Sequence, residues 1–391
     1  MRIFLRRRQF SGFLSQLGLL LIGVGMFLYF LMLEYGMPPF LGRYFGVISI
    51  VLLFLSLTYI ARERVFNLRY QSALVFVILV AAFFRIAIGL ASLSYSDNEQ
   101  TVASIFFGLV IYYSLIPVGL LILASAENNR RLFFFSHVFI FLLIALNSPA
   151  GYFVIASSSD LATHQTFAVV LTFLCVAFVL ANGPLASLII IFAAMISLVL
   201  IGARSEMVIL VILLLVVCGF LATIFRGLVI LATVLVAFVL MLSVSPVEFN
   251  ALVANVESNR FLDLFKNGAE AGSVVARAEI NVRTLVELNR APILGNFAGY
   301  EPGHYAHNML SVWIDFGILG FALHILVFFI AAYTVLRVDA RGWEKSILLA
   351  ALGGVFLLEV FAKSYSYQLT ALILGMIIGF EHKARTTNLI S

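Results

Sequence analysis

The amino-acid sequence predicts an all-α polytopic membrane protein with about twelve transmembrane helices. Three observations carry that expectation. Hydrophobic residues make up 63% of the 391 and charged residues only 11%, whereas soluble domains carry about 25% charged side chains. The apolar residues come in runs of about 17–25, the length of helix that crosses a hydrocarbon core about 30 Å thick. Lys and Arg gather in alternate short connections, the distribution that fixes orientation in a bilayer. The net charge of +5 is therefore assigned to membrane topology, and no nucleic-acid partner is expected.

The N-terminal MRIFLRRRQF is basic and leads into an apolar run of about 22 residues. That run is too long for the apolar part of a signal peptide and has no small-x-small cleavage pattern before Glu34, so it is expected to be an uncleaved first span. Expected spans in chain order are 12–33, 45–61, 71–93, 101–125, 132–147, 166–181, 185–202, 206–225, 228–245, 308–336, 346–366 and 367–380. Lys363 and the SYSYQ stretch interrupt the last two. The chain thus divides into transmembrane helices one to nine (1–245), a large loop (246–307), and helices ten to twelve with a tail (308–391). Cys175 and Cys218 each lie inside an apolar run, where cysteine is a small core residue, and neither a disulfide nor a metal site is expected.

Basic clusters at Arg6-Arg7-Arg8, Arg62 to Arg69, Arg130-Arg131, Arg337 to Lys345 and Lys383 to Arg385 fall on one side of the membrane. The positive-inside rule makes that side, and both termini, cytoplasmic. The other side receives the 246–307 loop, and a loop of about 60 residues in a compact protein is usually functional. It is expected to be largely helical. Val247 to Phe265 carries apolar residues at helical spacing, Lys266-Asn267-Gly268 is a helix stop, and Ser273 to Leu288 is a second helix. Glu279 and Glu287 each stand four residues from Arg283, which is enough to account for that arginine as a surface pair. Arg277 has no acidic residue three or four positions away. After Pro292 the chain reads ILGNFAGYEPGHYAHN.

Charged groups inside spans are the second signal, since each costs at least about 2.5 kcal/mol at mid-membrane on insertion scales and must pair or line a polar cavity. Arg85 lies in the third span, toward its outer half. Glu359 and Lys363, four residues apart in one span, are expected to pair with each other. Arg204 stands at the outer interface, where Glu206 is a ready counter-charge, and Asp315 lies a little inside the tenth span. Arg85, Arg204, Arg277, His304, His307 and Lys363 all map to the outer side. Cations gathered there imply an anionic ligand, and a phosphate or diphosphate suits several guanidinium groups together.

Three local motifs give that ligand a context. His307-Asn308 is followed after eight residues by Gly317-Ile318-Leu319-Gly320; Arg277 precedes a helix and a Pro292-Ile293-Leu294-Gly295 turn; and Gly202-Ala203-Arg204-Ser205 opens an apolar helix. In these residues, from about 165 onward, the chain resembles the O-antigen ligase and O-unit polymerase superfamily of bacterial inner-membrane glycosyltransferases. The RxxxL form of the third motif would have Leu where this chain has Val208. Ligases usually have nine residues in the first interval, so the resemblance leans to the polymerase. It implies a GT-C-like architecture and a metal-independent, inverting transfer at the periplasmic face, with no cofactor. The glycan would pass from an undecaprenyl-diphosphate carrier to an acceptor sugar hydroxyl on a lipid-linked repeat unit, or to lipid A-core in a ligase. A chain-length regulator would be a further partner beside the bilayer itself.

The same resemblance makes His307 the general base, a role open to an imidazole whose ordinary pKa is about 6.5. It makes Arg204 and Arg277 diphosphate ligands, with Arg85 and Lys363 as second contributors; Lys363, Asn308 and His304 are candidate substrate contacts, His304 with no motif of its own behind it. Arginines can hold the charge of a diphosphate leaving group in place of a metal ion. An alternative of another class is a transporter or flippase of lipid-linked sugars, which would also place cations in a polar cavity; the halves show no repeat of the kind many transporters carry. A purely structural scaffold gives no account of the cations. No GxxxxGK[ST], HExxH or Cys-rich metal spacing occurs, which disfavours a cytoplasmic sugar-nucleotide donor.

Overall fold

The structure is a computed structural model that describes residues 13, 16–18, 21, 51, 53–61, 73–95, 99–126, 130–146, 162–201, 203–221, 284–298, 308–340 and 342–388. Among the described residues the fold is helical, without strands. The main helices are α1 (Ala73–Tyr95), α2 (Glu99–Ala126), α3 (Arg130–Leu146), α4 (Ala162–Ala181), α5 (Pro184–Ile201), α6 (Arg204–Phe220), α7 (Leu310–Arg337), α8 (Gly342–Phe361) and α9 (Gln368–Asn388). Each falls on an expected apolar run. The break between α8 and α9 falls at the SYSYQ stretch. Residues 284–290 are helical as well, over the end of the expected second loop helix. The expected spans 12–33 and 228–245 lie largely or wholly outside the described residues, as does the loop before Thr284.

Among the described residues, four helical segments are long and apolar enough to cross a membrane: Ala73–Leu93, Ile105–Leu123, Pro184–Ile201 and Leu310–Arg337. Phe167–Ala181 and Ser205–Phe220 are shorter apolar helices. The faces these helices turn outward are as informative as their length. On α1 the exposed large hydrophobic residues are Phe76, Leu79, Val80, Phe83 and Leu90, while Arg85 is only 2% exposed. On α7, Leu319, Leu326, Phe329, Tyr333 and Leu336 face out and Asp315 and His324 are buried. Apolar residues outside and ionisable ones inside invert the soluble pattern, and a hydrocarbon surrounding is what makes that arrangement favourable.

At the centre stand α4 and α9. Phe167 to Ala181 and Leu369 to Glu381 are buried almost all round, as expected of helices apolar on every face. Helix α9 lies against α2 at backbone contact distance. A Cβ on Gly375 would overlap the Ile116 carbonyl and one on Gly119 the Leu372 carbonyl. Small residues at such a crossing let backbones approach where no water-driven hydrophobic effect pushes helices together.

The two ends of the bundle differ. At one end the start of α8 meets the ends of α4 and α6: the Trp343 indole donates to the Val179 carbonyl at 3.1 Å and its ring packs edge-on to Phe220 at 5.0 Å. Lys383 pairs there with Glu344 at 3.6 Å. At the other end the start of α6, the start of α7, the turn between α8 and α9 and the 291–298 segment come together, and the candidate site lies there.

Candidate functional site

The site end is built on a break in α7. Gly317 has φ 65° and ψ −172° inside the helix, a conformation that side chains with a Cβ avoid. The opening has an occupant. Residues 291–298 lie against the broken turn, with the Ile318 N–H donating to the Pro292 carbonyl at 3.1 Å and the Asn296 N–H to the Ile314 carbonyl at 2.6 Å. The Trp313 indole also donates to the Pro292 carbonyl, at 2.8 Å. Gly295, at φ 74°, packs on Gly317, and a Cβ on either glycine would run into the other segment's backbone. The PxxG and GxxG motifs are therefore two halves of one joint. The helix gives up its own hydrogen bonds at Gly317, and the turn satisfies them.

Phe297 and Ala298 are buried beneath this joint, in a small apolar cluster with Val102, Leu109, Val312, Phe316 and Tyr365. Ala298 has φ 53°, uncommon for a residue with a side chain, and its N–H donates to Asp315 Oδ1 at 3.1 Å. The other oxygen of Asp315 accepts from the Tyr365 hydroxyl at 2.9 Å. Asp315 thus ties the 291–298 segment to the α8–α9 turn.

Arg85 rises from α1 into the space below. Its guanidinium stands 5.5 Å from the Phe316 ring centre and 5.3 Å from that of Tyr365. Nη2 is 2.9 Å from His324 Nδ1 on α7, and Nη1 donates to the Tyr113 hydroxyl at 3.4 Å. His324 Nε2 lies 2.5 Å from Glu359 Oε2, and Thr370 donates to Glu359 Oε1 at 2.5 Å. A guanidinium has no acceptor, so Nδ1 must be the bare nitrogen and Nε2 must carry the proton it gives to the carboxylate. The chain reads Arg⁺, neutral imidazole, Glu⁻, and it is charge-balanced within the bundle.

A second pair completes the polar core. Lys363 Nζ is 3.0 Å from Glu206 Oε1, which also accepts from the Tyr367 hydroxyl at 2.9 Å, and Ser205 donates to Oε2 at 2.8 Å. The expected Glu359–Lys363 pair does not form. Helix α8 ends at Phe361, and the Ala362 and Lys363 N–H groups both turn back to the Leu358 carbonyl. Four-residue spacing sets two side chains on one face only while the helix continues. Lys363 therefore points to α6, and Glu206 answers Lys363.

Of the residues expected to form the site, Arg85, Lys363 and Asn308 are described in full. Arg85 and Lys363 each already face a carboxylate, through His324 in the first case and directly in the second. Asn308 Oδ1 accepts from the Leu310 N–H at 3.0 Å and caps the start of α7. Arg204 is the first residue of α6, one turn or less from Glu206, and its side chain lies outside what is described. Arg277, His304 and His307 lie outside the described residues. Arg290 pairs with Glu287 at 2.6 Å and is a surface residue.

His324 is the member that sequence reasoning passed over. Its signal was available: a lone imidazole in the apolar run GFALHILVFF, of the same kind that singled out Arg85 and Glu359. No protein-family model matches the chain, and no curated protein matches it.

Proposed function

We propose that the chain is an integral-membrane glycosyltransferase that polymerises lipid-linked oligosaccharide repeat units of a bacterial surface polysaccharide. In this reading the glycan leaves an undecaprenyl-diphosphate carrier and is taken by a sugar hydroxyl of an acceptor repeat unit, on the periplasmic side of the inner membrane. His307 removes the acceptor proton, and Arg204 and Arg277 hold the diphosphate as it departs. One observation carries the reading furthest. The PxxG turn sits on the GxxG break, nine residues beyond His307-Asn308 in sequence and at the end of the bundle where Arg204 begins α6. The neutralisation of Arg85 and Lys363 moves the charge of the leaving group onto Arg204 and Arg277.

The test is surface-polysaccharide profiling by gel in a strain deleted for the gene and complemented with wild type, His307→Ala, Arg204→Ala or Arg277→Ala. Wild type restores a ladder of repeat lengths. The variants leave single-repeat material, because loss of a general base costs about 10²–10⁴ in rate and loss of one group that holds the developing leaving-group charge about 10²–10³. Polymer retained on its carrier, without transfer to lipid A-core, would make the protein a ligase. The Arg85–His324–Glu359 chain in the interior favours a second reading, a transporter of lipid-linked sugars, because such chains also mark ion pathways. Normal ladders from all three variants would favour it.

A further inference from the structure

The Arg85–His324–Glu359 chain does more than neutralise buried charge. Arg85 lies against Phe316, the residue before the helix break, and against Tyr365, whose hydroxyl holds Asp315. Asp315 in turn holds the Ala298 N–H at the end of the docked segment. Glu359, at the far end of the chain, fixes Thr370 at the start of α9. The imidazole thus stands between two anchors. One sets the broken turn of α7 and the 291–298 segment, and the other sets the α8–α9 turn. We propose that His324 is a positioning residue, a neutral acceptor–donor bridge whose hydrogen bonds to Arg85 and Glu359 hold the 291–298 segment in its docked place on α7. The consequence for transfer rests on the polymerase reading, since this segment leads toward His304 and His307; the docking itself does not.

Chemistry separates this bridge from a plain space-filler. A glutamine at 324 has one carbonyl to accept from Arg85 and one amide to donate to Glu359, so it reproduces both bonds without titrating. Phenylalanine fills similar space and strands a guanidinium and a carboxylate, groups that are costly to leave buried and unpaired. The readout is maleimide labelling of Ala298→Cys, in the full chain in detergent micelles and with Cys175 and Cys218 replaced by Ala. Ala298 is 2% exposed, so its thiol reacts only when the segment lifts.

His324→Phe is expected to label at least about tenfold faster than the parent, since it loses two hydrogen bonds to charged groups, and His324→Gln to label at close to the parent rate. Tyr365→Phe keeps the ring over Arg85 and removes only the hydroxyl on Asp315, so it tests the far link even if His324→Phe does not fold; it is also expected to label faster. Equal protection in His324→Phe, or in Tyr365→Phe, would overturn the proposal. So would a His324→Gln variant that opens as readily as His324→Phe. Because labelling needs no substrate, a missing polysaccharide ladder in the wild type would sink the polymerase reading and leave this result standing.

Discussion

Lys363 shows how much a single side chain's surroundings add to what the sequence says of it. Taken alone, a lysine near the outer end of a span is a natural anion contact. In the fold it is 11% exposed and held at 3.0 Å by Glu206. Removing one member of a buried ion pair strands the other, at a cost of about 3–5 kcal/mol, whereas removing both is far milder. Lys363→Met and Glu206→Gln are each expected to lower the unfolding temperature in detergent micelles sharply, and the double variant to recover most of the loss. Two single variants that melt with the wild type would mean that the pair contributes nothing. Asn308 allows a finer test. Its Oδ1 caps α7, so Asn308→Ala is expected to cost about 1 kcal/mol while Asn308→Asp keeps the cap. A folded Asn308→Asp protein that makes no polymer would assign the amide to substrate as well as to the helix; a normal ladder would leave it a cap alone.

Between residues and the bundle lie the joints, and these were only half legible. The GxxG and PxxG motifs stand out in the sequence because glycines at fixed spacing in an apolar chain are conspicuous. Nothing in their spacing says that Gly295 packs on Gly317, because contact across about 20 residues is set by the path of the chain between them. The end of α8 was legible from the SYSYQ stretch, but its exact last turn was not, and that turn decides where Lys363 points. Helix ends are the least determined part of any pattern reading, since one or two residues at an end move a side chain to another face. The joint makes a strong prediction. Gly317→Ala adds a Cβ at φ 65° into the Ile293 carbonyl, so both the backbone conformation and the space are wrong. The expected loss exceeds about 3 kcal/mol, at the upper end for single substitutions, and is read as a drop in unfolding temperature and as fast labelling of Ala298→Cys. Gly353→Ala, inside α8 with open space around its position, is the control and is expected to lose no stability, since Ala is the better helix former. A silent Gly317→Ala would show that the 291–298 segment does not dock at the break.

For the molecule as a whole, the class of fold was legible because it depends on composition and run length, which need no contacts to be read. The polar core was not, because it requires knowing which lone polar residue of one apolar helix meets which of another: Arg85 finds His324 across 239 positions and His324 finds Glu359 across 35. What the bundle adds to composition is direction, since Arg85, Asp315, His324 and Glu359 turn inward while Phe76, Phe83 and Phe329 turn outward. Phe83 is the sharpest case, 77% exposed and at the middle of the Ala73–Leu93 segment, two positions from buried Arg85. If lipid surrounds that face, Phe83→Asp places a carboxylate in hydrocarbon at a cost of about 2.5–3.5 kcal/mol on insertion scales, while Phe83→Leu costs little. Membranes washed with alkaline carbonate are therefore expected to retain the wild type and Phe83→Leu and to hold markedly less Phe83→Asp. A water-exposed Phe83 predicts the reverse, because a charge replacing an exposed phenylalanine improves solubility without disturbing the core. Full retention of Phe83→Asp, folded and resistant to extraction, would mean that this face of α1 meets other protein or water rather than the bilayer.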